Sequence, residues 1–336
     1  MTKPPVIVIA EAGVNHNGDI GLAKELVDIA SECGADIVKF QTFKAEELVT
    51  NRAKKAAYQK KSGSGSSDQL SMLKKLELSN HDFEVLRDHC DRRSIEFLST
   101  AFTIESLEFL VSLGIKRIKI PSGEITNLPL LLKASKFGLP IILSSGLSYM
   151  SEIESAVSLL VNNGVNKSQI TVLHCTTEYP APISSVNLSA MKTISKEIKV
   201  DVGYSDHTRN FEVPIAAVAI GAVTIEKHFT KSRKFDGPDH MASLEPNELS
   251  EMIISIRNTE TLMGSSEKKP SNDELKNLNV VRKSIVAKKQ IKKGEIFSEC
   301  NLTTKRPGDG ISPMEWNKII NTAAKKQFEK DDLIEI

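Results

Sequence analysis

Short runs of β-branched and aliphatic residues recur through the first 230 positions: VIVIA at 6–10, DIVKF at 36–40, EFLST at 96–100, KRIKI at 116–120, PIILS at 140–144, ITVLH at 170–174, KVDVG at 199–203 and AVTIE at 222–226. Each has the length of a strand rather than of a helix that must bury a face. Between them stand segments with helical spacing, among them GLAKELVDIASECG, HDFEVLRDHCDRR, IESLEFLVSLG and EVPIAAVAIG. Several close on the glycine that a helix C-terminus favours. Strands alternating with single helices predict an α/β fold with a parallel sheet and right-handed crossovers. Eight such repeats predict closure into a (β/α)8 TIM barrel over residues 1–262, with an open doubly wound sheet as the alternative.

Two stretches break the rhythm. The connection after the second strand runs from about 44 to 81 and contains KSGSGSSDQ. A connection of that length reads either as a lid over the substrate or as a disordered insertion. Residues 263–281 are polar and linker-like, with DELKNLN able to form a helical turn. Beyond them, residues 282–336 carry short strand-like pieces around turns, a small β-rich module. A module of that size buries little core by itself, so docking against another surface is expected.

Composition narrows the function classes. The chain has 336 residues, and its 44 Lys+Arg nearly cancel its 43 Asp+Glu. No broad basic field is left for nucleic acid or an anionic membrane, so any bound anion must be held locally. The apolar run near the N-terminus is far too short to span a bilayer, and no signal-cleavage pattern follows it. Cys33, Cys90, Cys175 and Cys300 have neither CxxC spacing nor a disulfide framework. A cytoplasmic location is the expectation.

In a barrel the chemistry sits at the C-terminal ends of the strands. Here all eight ends are polar: Glu11; Lys39 and Gln41; Thr100; Lys119, Ser122 and Glu124; Ser144 and Ser145; His174, Thr177 and Tyr179; Ser205, Asp206 and His207; Glu226 and His228. Lys39 and Lys119 fall on the inward alternation of VKF and IKI, and with the hydroxyls of Thr100, Ser122, Ser144 and Ser205 they suit a phosphate or carboxylate. A solvated surface lysine is the plainer reading, which the inward alternation disfavours. His207 and His228 end neighbouring strands and can share one divalent cation, with open positions that suit Mn²⁺ better than structural zinc. Glu11 and Glu124 are the candidate acid–base groups, expected to be ionised beside the lysines and so to act as bases, with orientation of a lysine or hydrogen bonding to sugar hydroxyls as the alternative for either.

IAEAGVNHNGD, VKFQTFKAEELV, IKIPSGEITNLP, ILSSG, LHCTTEYPAP, VGYSDHT, IEKHFT and GPDHMASLEP together resemble the sialic acid synthase family, which includes N-acetylneuraminate synthases and their legionaminate- and pseudaminate-forming relatives. The tail SIVAKKQIKKGEIFSECNLTTKRPGDGISPMEW resembles the antifreeze-like (SAF, β-clip) domain that ends these synthases. The resemblance implies attack of the methylene carbon of phosphoenolpyruvate on the aldehyde of an open-chain sugar. That aldehyde is polarised by a cation at His207 and His228, Mn²⁺ first, with Mg²⁺ or Co²⁺ as alternatives. Water addition and loss of phosphate follow. It implies that Lys39, Thr100, Lys119, Ser122, Ser144, Thr177 and Ser205 hold phosphoenolpyruvate, that Gln41, Tyr179 and Asp239 lie near the sugar, and that Glu11 and Glu124 activate water or move protons. Arg306 resembles an arginine that reaches the partner subunit's sugar, which implies a domain-swapped homodimer.

The chain departs from the family's pattern in places. Ala101 and Thr103 replace a proline and an aspartate after the third strand, SGSGSS stands where some relatives place an asparagine, and Thr177 stands where some relatives have an asparagine. The sugar reads as N-acetylmannosamine, giving N-acetylneuraminate, with 2,4-diacetamido-2,4,6-trideoxymannose, giving N,N'-diacetyllegionaminate, as the alternative. Barrels that make phosphorylated seven- or eight-carbon sugar acids would need an extra basic cluster. A non-enzymatic carbohydrate- or ice-binding protein would leave the polar strand ends without a purpose.

Overall fold

The computed structural model describes residues 4–50, 52–54 and 68–336. They divide into two compact units, Met1–Gly264 and Ser265–Ile336.

In the first unit the described residues form a closed barrel of eight parallel strands in sequence order. The strands are β1 (Ile7–Gly13), β2 (Ile37–Thr42), β3 (Glu96–Ala101), β4 (Ile118–Ile120), β5 (Ile141–Ser144), β6 (Ile170–Cys175), β7 (Asp201–Asp206) and β8 (Thr224–His228). The closed order rules out the open doubly wound sheet. β7 and β8 run past the apolar stretches that predict them, so Ser205, Asp206 and His228, like Glu226 inside AVTIE, are strand residues rather than loop residues.

Alternation sorts every strand. Outward residues such as Val8, Val38, Phe97, Ile118, Leu143 and Val172 pack against the surrounding helices in the main core. Inward residues form a separate apolar floor of Ile9, Ile37, Leu98, Ile142 and Leu173. Each floor residue stands two positions before a polar one, namely Glu11, Lys39, Thr100 and Ser144, with Cys175 above Leu173. The barrel is therefore greasy below and polar above. Gly203 shows how tightly the floor is filled, since a Cβ there would lie 2.6 Å from Leu173 Cδ2.

The helices begin on the caps that the sequence supplies. Asp19 accepts from Gly21 and Leu22 N–H at the start of Ile20–Glu32, and Ser79 with Asp82 forms a capping box before Asn80–Arg92. Thr103 Oγ1 accepts from Ser106 N–H and caps Ile104–Ser112. The aspartate that the family pattern leads one to expect there would cap equally well, so this departure exchanges one capping residue for another.

The connection after β2 contributes two short described helices, Ala45–Leu48 and Gln69–Lys74. Most of the KSGSGSSDQ segment, and with it the choice between lid and insertion, lies outside the described residues.

In the second unit, β9 (Ser284–Ala287) pairs antiparallel with β10 (Leu302–Lys305), Leu302 opposite Ala287 and Lys305 opposite Ser284. A small core that includes Ile285, Phe297, Leu302 and Phe328 holds it together. Before it, DELKNLN does become helical, as Asn272–Leu275 and the start of Leu278–Val281.

Candidate active site

Strand register brings the polar layer together. Glu11 is opposite Lys39 on one side and His228 on the other. Thr100 is opposite Lys119, and Ser205 is opposite Glu226. One cavity at this end of the barrel is lined by Glu11, Lys39, Gln41, Thr100, Lys119, Ser122, Ser144, Thr177, Tyr179, Ser205, His207, His228 and Asp239. Of the residues assigned a site role from the sequence, all but Glu124 and Arg306 thus share one chamber, while the strand-end residues Ser145, His174 and Asp206 lie outside its lining.

The two lysines are its electrostatic centre, each 3% exposed. Lys39 Nζ lies 2.6 Å from Glu11 Oε2, donates to Thr100 Oγ1 at 2.9 Å and lies 3.7 Å from Glu226 Oε2. Lys119 Nζ donates to Ser144 Oγ at 2.6 Å and lies 3.8 Å from Glu226 Oε1. Burial works against the charge on both. At Lys39, Glu11 and Glu226 outweigh it and the pKa rises. At Lys119 burial prevails over Glu226 and the pKa falls. Two buried ammonium groups ringed by hydroxyls form a strong local receptor for a small multivalent anion.

Glu226 is the residue that sequence reasoning left without a role. It sits between the two lysines and accepts from Ser205 Oγ at 2.9 Å. Burial opposes its ionisation, but Lys119, Lys39 and the Ser205 hydroxyl hold its carboxyl down at about 2. The signal was available, because Glu226 stands two positions before His228 in a strand whose faces alternate.

Glu11, 1% exposed, goes the other way. Burial lifts its carboxyl to about 7 despite Lys39, and Gln41 Nε2 donates to it at 3.1 Å. The expectation that lysines would depress it is corrected here: withdrawal from water costs the carboxylate more than its neighbour returns.

Glu124 is not brought into the group. The chain turns through a 3-10 segment, Ser122–Glu124, and Glu124 Oε2 accepts from Asn127 Nδ2 at 2.6 Å, away from the cavity lining. The turn that sends Ser122 inward rotates Glu124 to the cap of the next helix. Arg306 belongs to the second unit, where it is exposed and its Nε donates to the Val281 carbonyl at 2.9 Å; the chamber is built from the first unit.

On the anion side, Ser122 Oγ accepts from Gly146 N–H at 2.9 Å. A Cβ at Gly146 would lie 2.2 Å from Thr177 Oγ1. The glycine of ILSSG is thus required by close approach, and it lets the loops after β4, β5 and β6 converge.

His207 and His228 lie with ring centroids 5.5 Å apart, and Tyr179 lies 4.1 Å from His207. His207 Nδ1 donates to the Thr176 carbonyl at 2.6 Å, which leaves Nε2 with the lone pair. Burial keeps both imidazoles neutral, most strongly at His228, where His207 and Lys39 add to it. His228 Nδ1 is buried without a hydrogen-bond partner among the described residues, 3.9 Å from Asp239 Oδ2. Two neutral imidazoles, one with an orphaned nitrogen, fit a divalent cation. Among the described residues no group of three or more His, Cys, Asp or Glu is arranged to hold one. The protein would supply two nitrogens and leave the other positions to water and substrate oxygens.

Asp239 reaches the site on the loop after β8, which is stitched to the loop after β1. Asn15 Nδ2 donates to the Phe229 carbonyl and to Ser243 Oγ, at 2.8 and 2.9 Å, and Asn17 Nδ2 donates to the Asp236 carbonyl at 2.9 Å.

Comparison with known proteins places this geometry. Residues 282–335 match the SAF domain. The chain is 53% identical to an N,N'-diacetyllegionaminic acid synthase of Campylobacter jejuni, over 98% of both chains. It is 48% identical to one of Legionella pneumophila, over 94% of this chain and 89% of that one. The crystal structure of an N-acetylneuraminic acid (sialic acid) synthetase from Leptospira borgpetersenii, in complex with citrate, superposes with a TM-score of 0.73 at 34% identity, over 82% of this chain and 90% of that chain. Residues 26–268 match the NeuB family model, and the chain belongs to the NeuB family.

Proposed function

We propose that this chain is a nonulosonic acid synthase. It condenses phosphoenolpyruvate with 2,4-diacetamido-2,4,6-trideoxymannose and water to give N,N'-diacetyllegionaminate and phosphate. The observation that carries the reaction is the pair of buried lysines, Lys39 and Lys119, ringed by hydroxyls at the closed end of the cavity. The relatives favour the diacetamido sugar over N-acetylmannosamine, toward which the motifs alone lean slightly.

In this reading Lys39, Thr100, Lys119, Ser122, Ser144, Thr177 and Ser205 hold the phosphate and carboxylate and aim the methylene carbon at the aldehyde. Gln41, Tyr179 and Asp239 orient the sugar. A C–C bond forms, the aldehyde oxygen gains a proton and becomes a hydroxyl, and water adds at the former enol carbon. The C–O bond to phosphate then breaks. Glu11, between Lys39 and Gln41 and opposite His228, is placed to move the proton. Glu226 stays charged between the lysines and offsets their mutual repulsion. A divalent cation, Mn²⁺ first, would be held by His207 and His228 and would supply Lewis-acid polarisation of the aldehyde oxygen.

Two further elements belong to the proposal. Arg306 serves the sugar site of the partner subunit in a domain-swapped homodimer. The enzyme works in the cytoplasm, where phosphoenolpyruvate is made; its four unpaired cysteines suit a reducing compartment, and among the described residues no helix is long and apolar enough to cross a membrane.

The test is phosphate release from phosphoenolpyruvate with Mn²⁺ and either sugar. Faster turnover of the diacetamido sugar supports the reading. Faster turnover of N-acetylmannosamine returns the assignment to N-acetylneuraminate, and no release with either removes the synthase reading.

A further inference from the structure

The cavity lining has two layers on one side. The strand ends carry lysine, hydroxyl, imidazole, amide and carboxyl groups, Glu11, Lys39, Gln41 and Thr100 of β1 to β3 among them. Just beyond those three strands the connections add an apolar wall, Val14, Met72, Leu73, Leu76 and Phe102. This apolar face is built as a unit. Val14, Met72 and Leu76 are 4%, 3% and 7% exposed and form a buried bed with Phe43, against which the half-buried Leu73 and Phe102 pack. Phe102 meets Phe43 edge to face with ring centroids 6.1 Å apart. The helix Gln69–Lys74 that carries Met72 and Leu73 starts on Asp68, whose side chain accepts from Ser71 N–H at 2.7 Å.

The geometry points to Leu73 and Phe102 as specificity-determining residues of the sugar subsite, selecting a hexosamine whose far end is a methyl over one that ends in a hydroxymethyl. This inference rests on the synthase reading above. The aldehyde end of the sugar must lie by His207, His228 and the phosphoenolpyruvate methylene, so the rest of the open chain extends past Gln41 toward this wall. A hydroxyl pressed against it loses its water and gains no partner, whereas a methyl gains by leaving water. The two candidate sugars differ only at C4 and C6, and a 6-deoxy sugar with a 4-acetamido group offers methyls at both.

The test uses the intact enzyme and three sugars: 2,4-diacetamido-2,4,6-trideoxymannose, 2-acetamido-2,6-dideoxymannose and N-acetylmannosamine. The middle compound isolates C6. Wild type should prefer each 6-deoxy sugar over N-acetylmannosamine by about 10- to 100-fold in kcat/KM, the range an apolar pocket gives against an added hydroxyl. Leu73→Ser should shrink that preference about tenfold through the sugar KM, with the phosphoenolpyruvate KM unchanged, while Leu73→Met should keep it. Phe102→Tyr brings a hydroxyl to the same wall without removing volume, so it should act in the same direction even if Leu73→Ser folds poorly. An unchanged ratio in folded Leu73→Ser, or in Phe102→Tyr, overturns the inference and leaves the synthase reading standing. Failure of wild type to release phosphate with all three sugars overturns both.

Discussion

Lys227 Nζ meets Asp206 Oδ2 at 2.6 Å on the outer face of the barrel, with neither side chain exposed, and each residue is the immediate chain neighbour of a candidate cation ligand. Lys227 also donates to the carbonyls of Thr208 and Asn210, and Asp206 accepts from Thr208 N–H and Oγ1. The pair clamps the end of β7 and the loop after it to β8, and so sets the spacing of His207 and His228. Removing one partner strands a buried charge at a cost of about 3–5 kcal/mol. Lys227→Met should therefore lower the denaturation midpoint, and the double variant Asp206→Leu/Lys227→Met should recover part of the loss. Urea unfolding of the three proteins measures both, and a Lys227→Met protein as stable as wild type would contradict the clamp.

Lys119→Met should raise the KM for phosphoenolpyruvate about 10- to 100-fold, the worth of one charge-assisted contact, with a much smaller effect on the sugar KM. Steady-state kinetics with each substrate varied in turn decides this. Equal effects on both substrates would mean that Lys119 serves the whole chamber rather than the anion.

His207→Ala and His228→Ala should each abolish metal-stimulated turnover while leaving the far-UV circular dichroism unchanged. Titration of the apo-protein with Mn²⁺, followed by the loss of its free-ion paramagnetic signal, should show weakened binding in both variants. Undiminished binding in either would remove that histidine from the ligand set.

His16, fully buried, has its pKa lowered to about 4 by burial, which outweighs Asp19 and Asp82. His240, across the same pair of loops, is also held at about 4, by burial. For a base whose folded pKa is depressed, the unfolded chain binds the extra proton first. Stability is therefore full above the ordinary histidine value of 6.5 and falls as pH drops from there to about 4. His16 accounts for on the order of 3 kcal/mol of that loss. Stability measured from pH 7.5 to 4 should decline less steeply in His16→Leu than in wild type.

Arg306→Ala should leave the fold and the phosphoenolpyruvate KM intact and raise the sugar KM about 10- to 100-fold. Mixing Arg306→Ala with a Lys119→Met chain should restore some activity if the arginine crosses to a partner. Restoration fails if each chain serves its own site.

The sequence made the barrel legible because each strand is a short apolar run bounded by a helix and its caps. Even β4, with three residues, Ile118–Ile120, is visible through IKI. The site was legible where function coincides with alternation, as at Lys39 and Lys119. It was not legible where a turn decides direction. Glu124 follows Ser122 by two positions and would share its face in a strand, but a 3-10 turn breaks that parity. Glu226 is legible as a polar strand end but not in its role, since its place between Lys39 and Lys119 depends on three strands brought together. The pairing of Lys227 with Asp206 depends on contact between two strands, which single-strand periodicity does not carry.

The apolar floor of Ile9, Ile37, Leu98, Ile142 and Leu173 has a consequence for traffic. That greasy layer has nothing to pass a proton along, so among the described residues the groups able to hand protons on are gathered above it, at the end of the barrel where the substrates enter. Proton traffic and substrate traffic share that end.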